Sequence, residues 1–313
     1  MKGILRGAFL LSTLPDLRST PPVVRSCLVR LWQPCTFASE TNEQINIMKP
    51  SSATNKPILA MALTVLLATA CKKDGENETP LPQPSGCAAP TACGTVTDID
   101  GHSYSTVLIG NQCWTTSNLR TSRYRNGDAI PVGVADDAWL ALTSGAYAIY
   151  DNASSNEATY GKLYNWYAAT DPRGLCPSGW HVATDDEWKT LESSLGMSAS
   201  EVDADGSAGY RGVSENVGGK LKGTSNWSGS SNTGATNCSG MGLIPAGCLG
   251  VINNGNNEDL AIYGNQGEMA WMWTSTEFNS DQSQLRALYR LSGGVLRAKQ
   301  LKTLGLACRC VAD

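Results

Sequence analysis

Apolar positions along the chain fall into three patterns. Between residues 57 and 70 they run without a charge as PILAMALTVLLATA, a stretch of 14 residues. Near residues 94–115 and 270–312 they come in short β-branched and aromatic runs separated by turn residues, the pattern of strands. Between these lie two stretches with helical spacing. In DDEWKTLESSLG, Trp188, Leu191 and Leu195 share one face. Thr184 with Glu187 forms a capping box, Asp185 and Asp186 place negative charge in the first turn, and Gly196 supplies the stop. These signals predict a helix over 185–195. In YGKLYNWYAATDP, Leu163, Trp166 and Tyr167 fall on one helical face that ends at Asp171-Pro172, which predicts a second helix.

Ahead of the helices, GTVTDIDGHSYSTVLIGNQCWTTSNL carries Asp-Gly at 100–101 and Gly-Asn at 110–111, and reads as a meander of short strands. Residues 197–268 are rich in Gly, Ser and Asn and read as a long irregular segment. The chain returns to strands in AWMWTST, QLRALYRL, VLRAKQL and LACRCV. Leu285, Ala287, Tyr289 and Leu291 alternate with polar residues and predict a half-buried strand. The expected fold is α+β and loop-rich, with two main helices, short antiparallel strands from both ends, and those ends paired in one sheet.

The uncharged run is too short to span a bilayer and, with Lys49 and Lys56 ahead of it, has the layout of a secretory signal. LATAC at its end resembles a lipobox and marks Cys71 as a lipidation site. The expected organisation is an upstream artefact or unrecognised extension over 1–47, a signal peptide from Met48 to residue 70, a polar, proline-rich tether over 71–93, and one domain over 94–313. From Cys71 onward 17 Lys and Arg face 25 Asp and Glu, a net charge of −8, which argues against nucleic acid or an anionic lipid surface as partner. Membrane attachment is therefore expected only through the lipid.

Eight cysteines follow Cys71, an even number behind an export signal, and predict a disulfide framework rather than a metal site. No C-x-x-C pair occurs, and His102 and His181 are the only histidines. Spacing alone leaves 105 pairings open. Cys87 with Cys93, and Cys238 with Cys248, bracket loop-like segments that a bridge could close. Cys308 and Cys310 are expected on one face of a strand, with Cys113 and Cys176 as their partners, one each. The provisional pairing joins Cys176 to Cys310.

Five ordered segments, GNQCWTTSNLR, YGKLYNWYAA, GLCPSGWHVATDDEWKTL, WMWTSTE and CRCV, resemble the Fibrobacter succinogenes major paralogous domain over about residues 94–312. That family is in turn similar to the C-type-lectin-like fold that includes the formylglycine-generating, sulfatase-modifying enzymes. The resemblance implies a loop-rich domain of exported bacterial proteins, with CKKDGE as a surface-export tag of an outer-membrane lipoprotein. It also implies, by position, that Asn265 and Glu268 could hold a structural Ca²⁺.

No catalytic residue is assigned. The sulfatase-modifying oxidases use a Cys-x-x-x-x-Cys pair, whereas Cys308 and Cys310 are separated by one residue. No G-x-S-x-G, H-E-x-x-H or phosphate-binding glycine loop is present. The chain from Cys71 on has 8 Trp and 10 Tyr, side chains suited to stacking on sugars and proteins. Trp227, in TSNWSGSSN, has no apolar neighbours in sequence and is the expected exposed ligand contact. The expected function is non-catalytic adhesion or recognition of a glycan or cell-surface protein, with a sulfatase-modifying enzyme or its remnant as the alternative.

Overall fold

A computed structural model describes residues 89–206, 209–253 and 259–313. The expectations for residues 1–88, including lipidation at Cys71, the tether and the pairing of Cys87, lie outside the described residues. Among the described residues, twelve strands and six α-helices build the domain. The strands are β1 (Thr91–Thr97), β2 (Ser103–Ile109), β3 (Gln112–Thr115), β4 (Tyr147–Ala148), β5 (Leu163–Tyr164), β6 (Trp180–Val182), β7 (Ala246–Asn253), β8 (Asp259–Gln266), β9 (Met269–Glu277), β10 (Gln282–Tyr289), β11 (Leu296–Leu301) and β12 (Cys310–Ala312). The helices are α1 (Asp136–Trp139), α2 (Glu157–Tyr160), α3 (Trp166–Ala169), α4 (Asp185–Ser194), α5 (Ala199–Val202) and α6 (Val217–Leu221).

Two five-stranded sheets carry most of the backbone pairing, in the orders β1-β2-β3-β12-β6 and β11-β10-β9-β7-β8, with a separate β4-β5 ladder. The opening meander turns where the sequence places its turns, after Asp98 and at Gly110-Asn111. The two ends of the domain meet in the first sheet. Val311 pairs with Trp114 on β3, and Cys310, Val311 and Ala312 pair with Val182, His181 and Trp180 on β6. β1 starts at Thr91, ahead of the expected boundary at Gly94.

Helix α4 forms as the sequence predicts. The Thr184 hydroxyl accepts the Glu187 N–H at 3.2 Å, and the Glu187 carboxylate accepts the Thr184 N–H at 2.7 Å. Trp188 and Leu191 are fully buried, and the Trp188 ring meets Trp114 edge-on at 5.1 Å. The inner face of α4 also carries charge. Asp185 and Glu192 hold Arg286 of β10, at 2.6 Å each, while Arg297 reaches Asp185 and Arg211 reaches Glu192.

That network corrects the reading of β10. Arg286 is fully buried, and both faces of the strand from Ser283 to Leu288 are covered, so β10 is not half-buried. Leu291, expected on its buried face, is exposed. The expected second helix also breaks up: Leu163 lies in β5, and only Trp166 to Ala169 are helical. Gly161 has φ 75°, and a Cβ there would meet the Leu119 carbonyl oxygen at 2.7 Å. Asn165 then restarts the chain as an N-cap, its side chain accepting the Ala168 N–H. The segment read as irregular over 197–268 contains β7, β8, α5 and α6.

Candidate functional site

The segment Gly174 to Glu187 combines a disulfide, a turn, the edge strand β6 and a helix cap within a few residues, and two clefts open beside it. The bridge joins Cys176 to Cys310, with Cα atoms 6.1 Å apart, and fixes this turn to β12. The first cleft, about 260 Å³, has Thr97, Ile99, Leu175, Pro177 and Ser178 in its wall. The second, about 320 Å³, has Thr170, Asp171, His181, Val182 and Ser275. Ligand pockets occupy roughly 300–1,000 Å³, so the first cleft falls just below that range and the second at its small end.

Arg125 lines both clefts. Its backbone N–H donates to the Gly174 carbonyl at 2.8 Å. Its Nε donates to the Cys176 carbonyl at 3.1 Å and Nη2 to the Trp180 carbonyl at 2.8 Å. The side chain is exposed, and among the described residues no carboxylate pairs with it. The neighbouring arginines differ. Arg123 pairs with Asp100 at 3.1 Å, and Arg173 takes Asp171 in a fork at 2.8 Å on each side while reaching Asp128 at 3.1 Å. Sequence reasoning missed Arg125. Its partners are the carbonyls of residues 51 and 55 positions away, and nothing near Arg-Tyr-Arg-Asn-Gly-Asp distinguishes it from Arg123.

His181 stands at the wall of the second cleft with Nδ1 2.7 Å from Asp313 and Nε2 2.8 Å from Glu187. A neutral imidazole donates from one nitrogen only, so carboxylate oxygens at both ends call for the doubly protonated ring. Burial alone pushes its pKa down, but the hydrogen bonds to Asp313 and Glu187 outweigh that and raise it above the ordinary value. With both nitrogens held, the ring has no lone pair free to take a proton from a nucleophile. Its role in the fold is to tie β6 to the α4 capping box and to the end of β12.

The other residues singled out by sequence lie apart from this site or in different roles. Trp227 is a correction. It is only 9% exposed, belongs to the main core cluster, and has the Lys222 ammonium 5.3 Å from its ring centroid. Distant segments supply the apolar surroundings that its sequence neighbours lack, so its ring is not a free stacking surface. Asn265 and Glu268 flank the turn from β8 to β9, where the Asn265 carbonyl accepts the Glu268 N–H at 3.0 Å. The Glu268 carboxylate is engaged by Arg290 at 2.5 Å, a cation already in place. Among the described residues no three His, Cys, Asp or Glu side chains gather as a metal site.

The disulfide framework needs two corrections. Cys93 is bridged to Cys113, 20 residues away, rather than to Cys87; pairing of β1 with β2 and of β2 with β3 brings Cys93 and Cys113 together on the meander. Cys308 is therefore not a partner of Cys113. It is a buried free thiol whose pKa burial drives far up, in the core beside Tyr164. Cys238 and Cys248 are each disulfide-bonded. Cys248 sits in β7, opposite Gly264 of β8.

Arg309 lies between the two late cysteines. It is buried, and its guanidinium donates to Asn118 Oδ1 and to the carbonyls of Thr115, Met241 and Gly242. Burial without a carboxylate pushes its pKa down to about 9.

No curated protein and no solved structure matches the chain. The family model of the Fibrobacter succinogenes major domain matches residues 107–312, which takes in Arg125, the second cleft, the Cys176–Cys310 bridge and α4, and leaves Thr97 to Ile99 of the first cleft outside. Matching about two thirds of the sequence, it establishes that the chain belongs to the Fibrobacter succinogenes major domain family.

Proposed function

We propose that this protein is a surface-anchored lipoprotein whose domain recognises a glycan without catalysing a reaction, and that the paired clefts around Arg125 are its binding site. One observation carries the reading: an exposed arginine without a carboxylate partner separates two small clefts rimmed by hydroxyls. Leu175 to Ser178, His181 and Val182 of those walls belong to one segment that also carries the Cys176 disulfide, the His181 clamp and the start of the capped helix α4. Binding sites set on so rigid a frame lose little entropy on ligand capture. A C-type-lectin-like arrangement, with recognition in loops held by a sheet and a helix, accords with this placement. Attachment through a lipid on Cys71 fits the same reading. Among the described residues no helix is long and apolar enough to cross a membrane.

The sulfatase-modifying alternative lacks a comparable observation. Its chemistry needs two thiols in reach of each other and of substrate. Cys310 is oxidised onto Cys176, and Cys308 is sealed in the core.

The test is a glycan array probed with the oxidised full-length chain, alongside membrane fractionation of the Cys71→Ser variant. Binding to a defined set of glycans, and release of the variant from membranes, are the expected results. A blank array removes the recognition reading. A variant that still pellets through carbonate washing removes the anchor.

A further inference from the structure

The geometry points to a carboxylate-bearing sugar, a uronic-acid-type residue within a glycan, as the ligand of the Arg125 clefts. This rests on the recognition reading above and narrows it to one chemical class. The charges around the clefts are otherwise accounted for. Arg173 is forked onto Asp171 and also reaches Asp128, Arg123 is paired with Asp100, and His181 stands between Glu187 and Asp313. Asp98, in the first cleft, is 7% exposed and accepts hydrogen bonds from the Tyr104 hydroxyl at 2.6 Å and from the His102 backbone N–H at 2.9 Å. Arg125 is left with a positive charge and carbonyl partners only.

How Arg125 is held also selects the ligand. Nε and Nη2 each give a proton to the carbonyls of Cys176 and Trp180. A guanidinium has five N–H donors, so the two protons on Nη1 and the second on Nη2 remain, and one from each of these nitrogens points off the end of the group. Two parallel donors match the two oxygens of a planar carboxylate, and the carbonyl clamp fixes the fork before the ligand arrives. The rest of the lining suits a sugar. Thr97, Ser178, Thr170 and Ser275 offer hydroxyls on either side of Arg125, while Ile99, 49% exposed, and Pro177 give an apolar surface for the C–H face of a ring. Because Arg125 lines both clefts, a charged ring held at Arg125 leaves space for a neighbouring ring in either one.

The experiment measures binding of the full-length oxidised chain to galacturonate and glucuronate-containing oligosaccharides, and to the same oligosaccharides with their carboxyl groups reduced to alcohols. Sulfated neutral oligosaccharides are run in parallel. The expected result is binding of the uronates, weakened tenfold or more by carboxyl reduction, by Arg125→Gln and by raising the salt. A second variant guards against a turn disturbed by loss of the arginine: Ile99→Glu leaves the carbonyl clamp untouched and should also weaken uronate binding by charge repulsion. Equal affinity for the reduced sugars, or full affinity in a folded Arg125→Gln protein, overturns the carboxylate assignment while leaving glycan recognition intact. Preference for sulfated sugars over uronates also overturns it. Absence of binding to any glycan overturns both this inference and the recognition reading beneath it.

Discussion

Removing one disulfide at a time should separate the two bridges by their loop lengths and by their depth in the core. The Cys176–Cys310 bridge closes 134 residues and the Cys93–Cys113 bridge closes 20. In the chain-entropy model these loops correspond to about 5 and about 3.3 kcal/mol at 25 °C, because the restriction grows with the logarithm of loop length. Burial adds to the difference. Cys176 and Cys310 are 2% and 0% exposed, so truncating them also opens space in the core, whereas Cys93 is exposed. Paired substitutions keep stray thiols from confusing the result: Cys176→Ala with Cys310→Ala, and Cys93→Ala with Cys113→Ala. For a domain of this size each kcal/mol moves the melting temperature by about 2–4 °C, which places the first double variant about 10–20 °C below the parent and the second about 6–13 °C below it. Scanning calorimetry of the oxidised proteins measures this directly. The reasoning is refuted if the Cys93/Cys113 variant melts lower than the Cys176/Cys310 variant.

Three further outcomes follow from side chains described above. His181 has a raised pKa, so its clamp should stabilise the domain fully below the unfolded value of 6.5 and be lost as the pH rises through the folded value. With a side chain 38% exposed the effect should be only a few tenths of a kcal/mol, read as a urea midpoint that falls above neutral pH in the parent and stays flat in His181→Gln. Glu192→Ala leaves Arg211 and Arg286 buried without their shared carboxylate and should cost about 3–5 kcal/mol in equilibrium unfolding; a loss below about 1 would show that the arginines find other partners. Maleimide should leave Cys308 unmodified in the native protein and label it after unfolding in denaturant, with peptide mapping as the readout; rapid native labelling would contradict its burial.

Local signals in the sequence located what local physics controls. The α4 capping box, the Asp-Gly and Gly-Asn turns and the pairing of the domain's ends were all legible, because caps, turns and periodicity act over a few residues. The Cys176–Cys310 bridge followed from the same reasoning about the ends. Charge inside the fold was not legible. Arg286 looked like the solvent side of an alternating strand, and only its contacts with Asp185 and Glu192, about 100 residues away, make its burial tolerable. Trp227 misled for the complementary reason: an aromatic among Ser and Asn looks exposed until distant segments cover it. Proximity along the chain pairs Cys93 with Cys87 and leaves Cys113 for the late cysteines, whereas β1 and β3 bring Cys93 and Cys113 together through β2. Arg125 carried no signal, since its role depends on backbone carbonyls that any residue would supply.

The place of β12 in its sheet has a consequence for how the domain must assemble. β3 and β6 do not pair with each other; both pair with β12, which sits between them and comes last of the strands in sequence. Until Cys310 to Ala312 are available, the meander and the α4 segment are separate pieces, each with an open strand edge. Closing the sheet joins residues about 200 positions apart, a contact that forms slowly because the whole intervening chain must be gathered first. The bridge to Cys176 can form only on that same closure. A chain stopped a few residues short would therefore lose little mass and yet keep neither the sheet nor its long covalent tie.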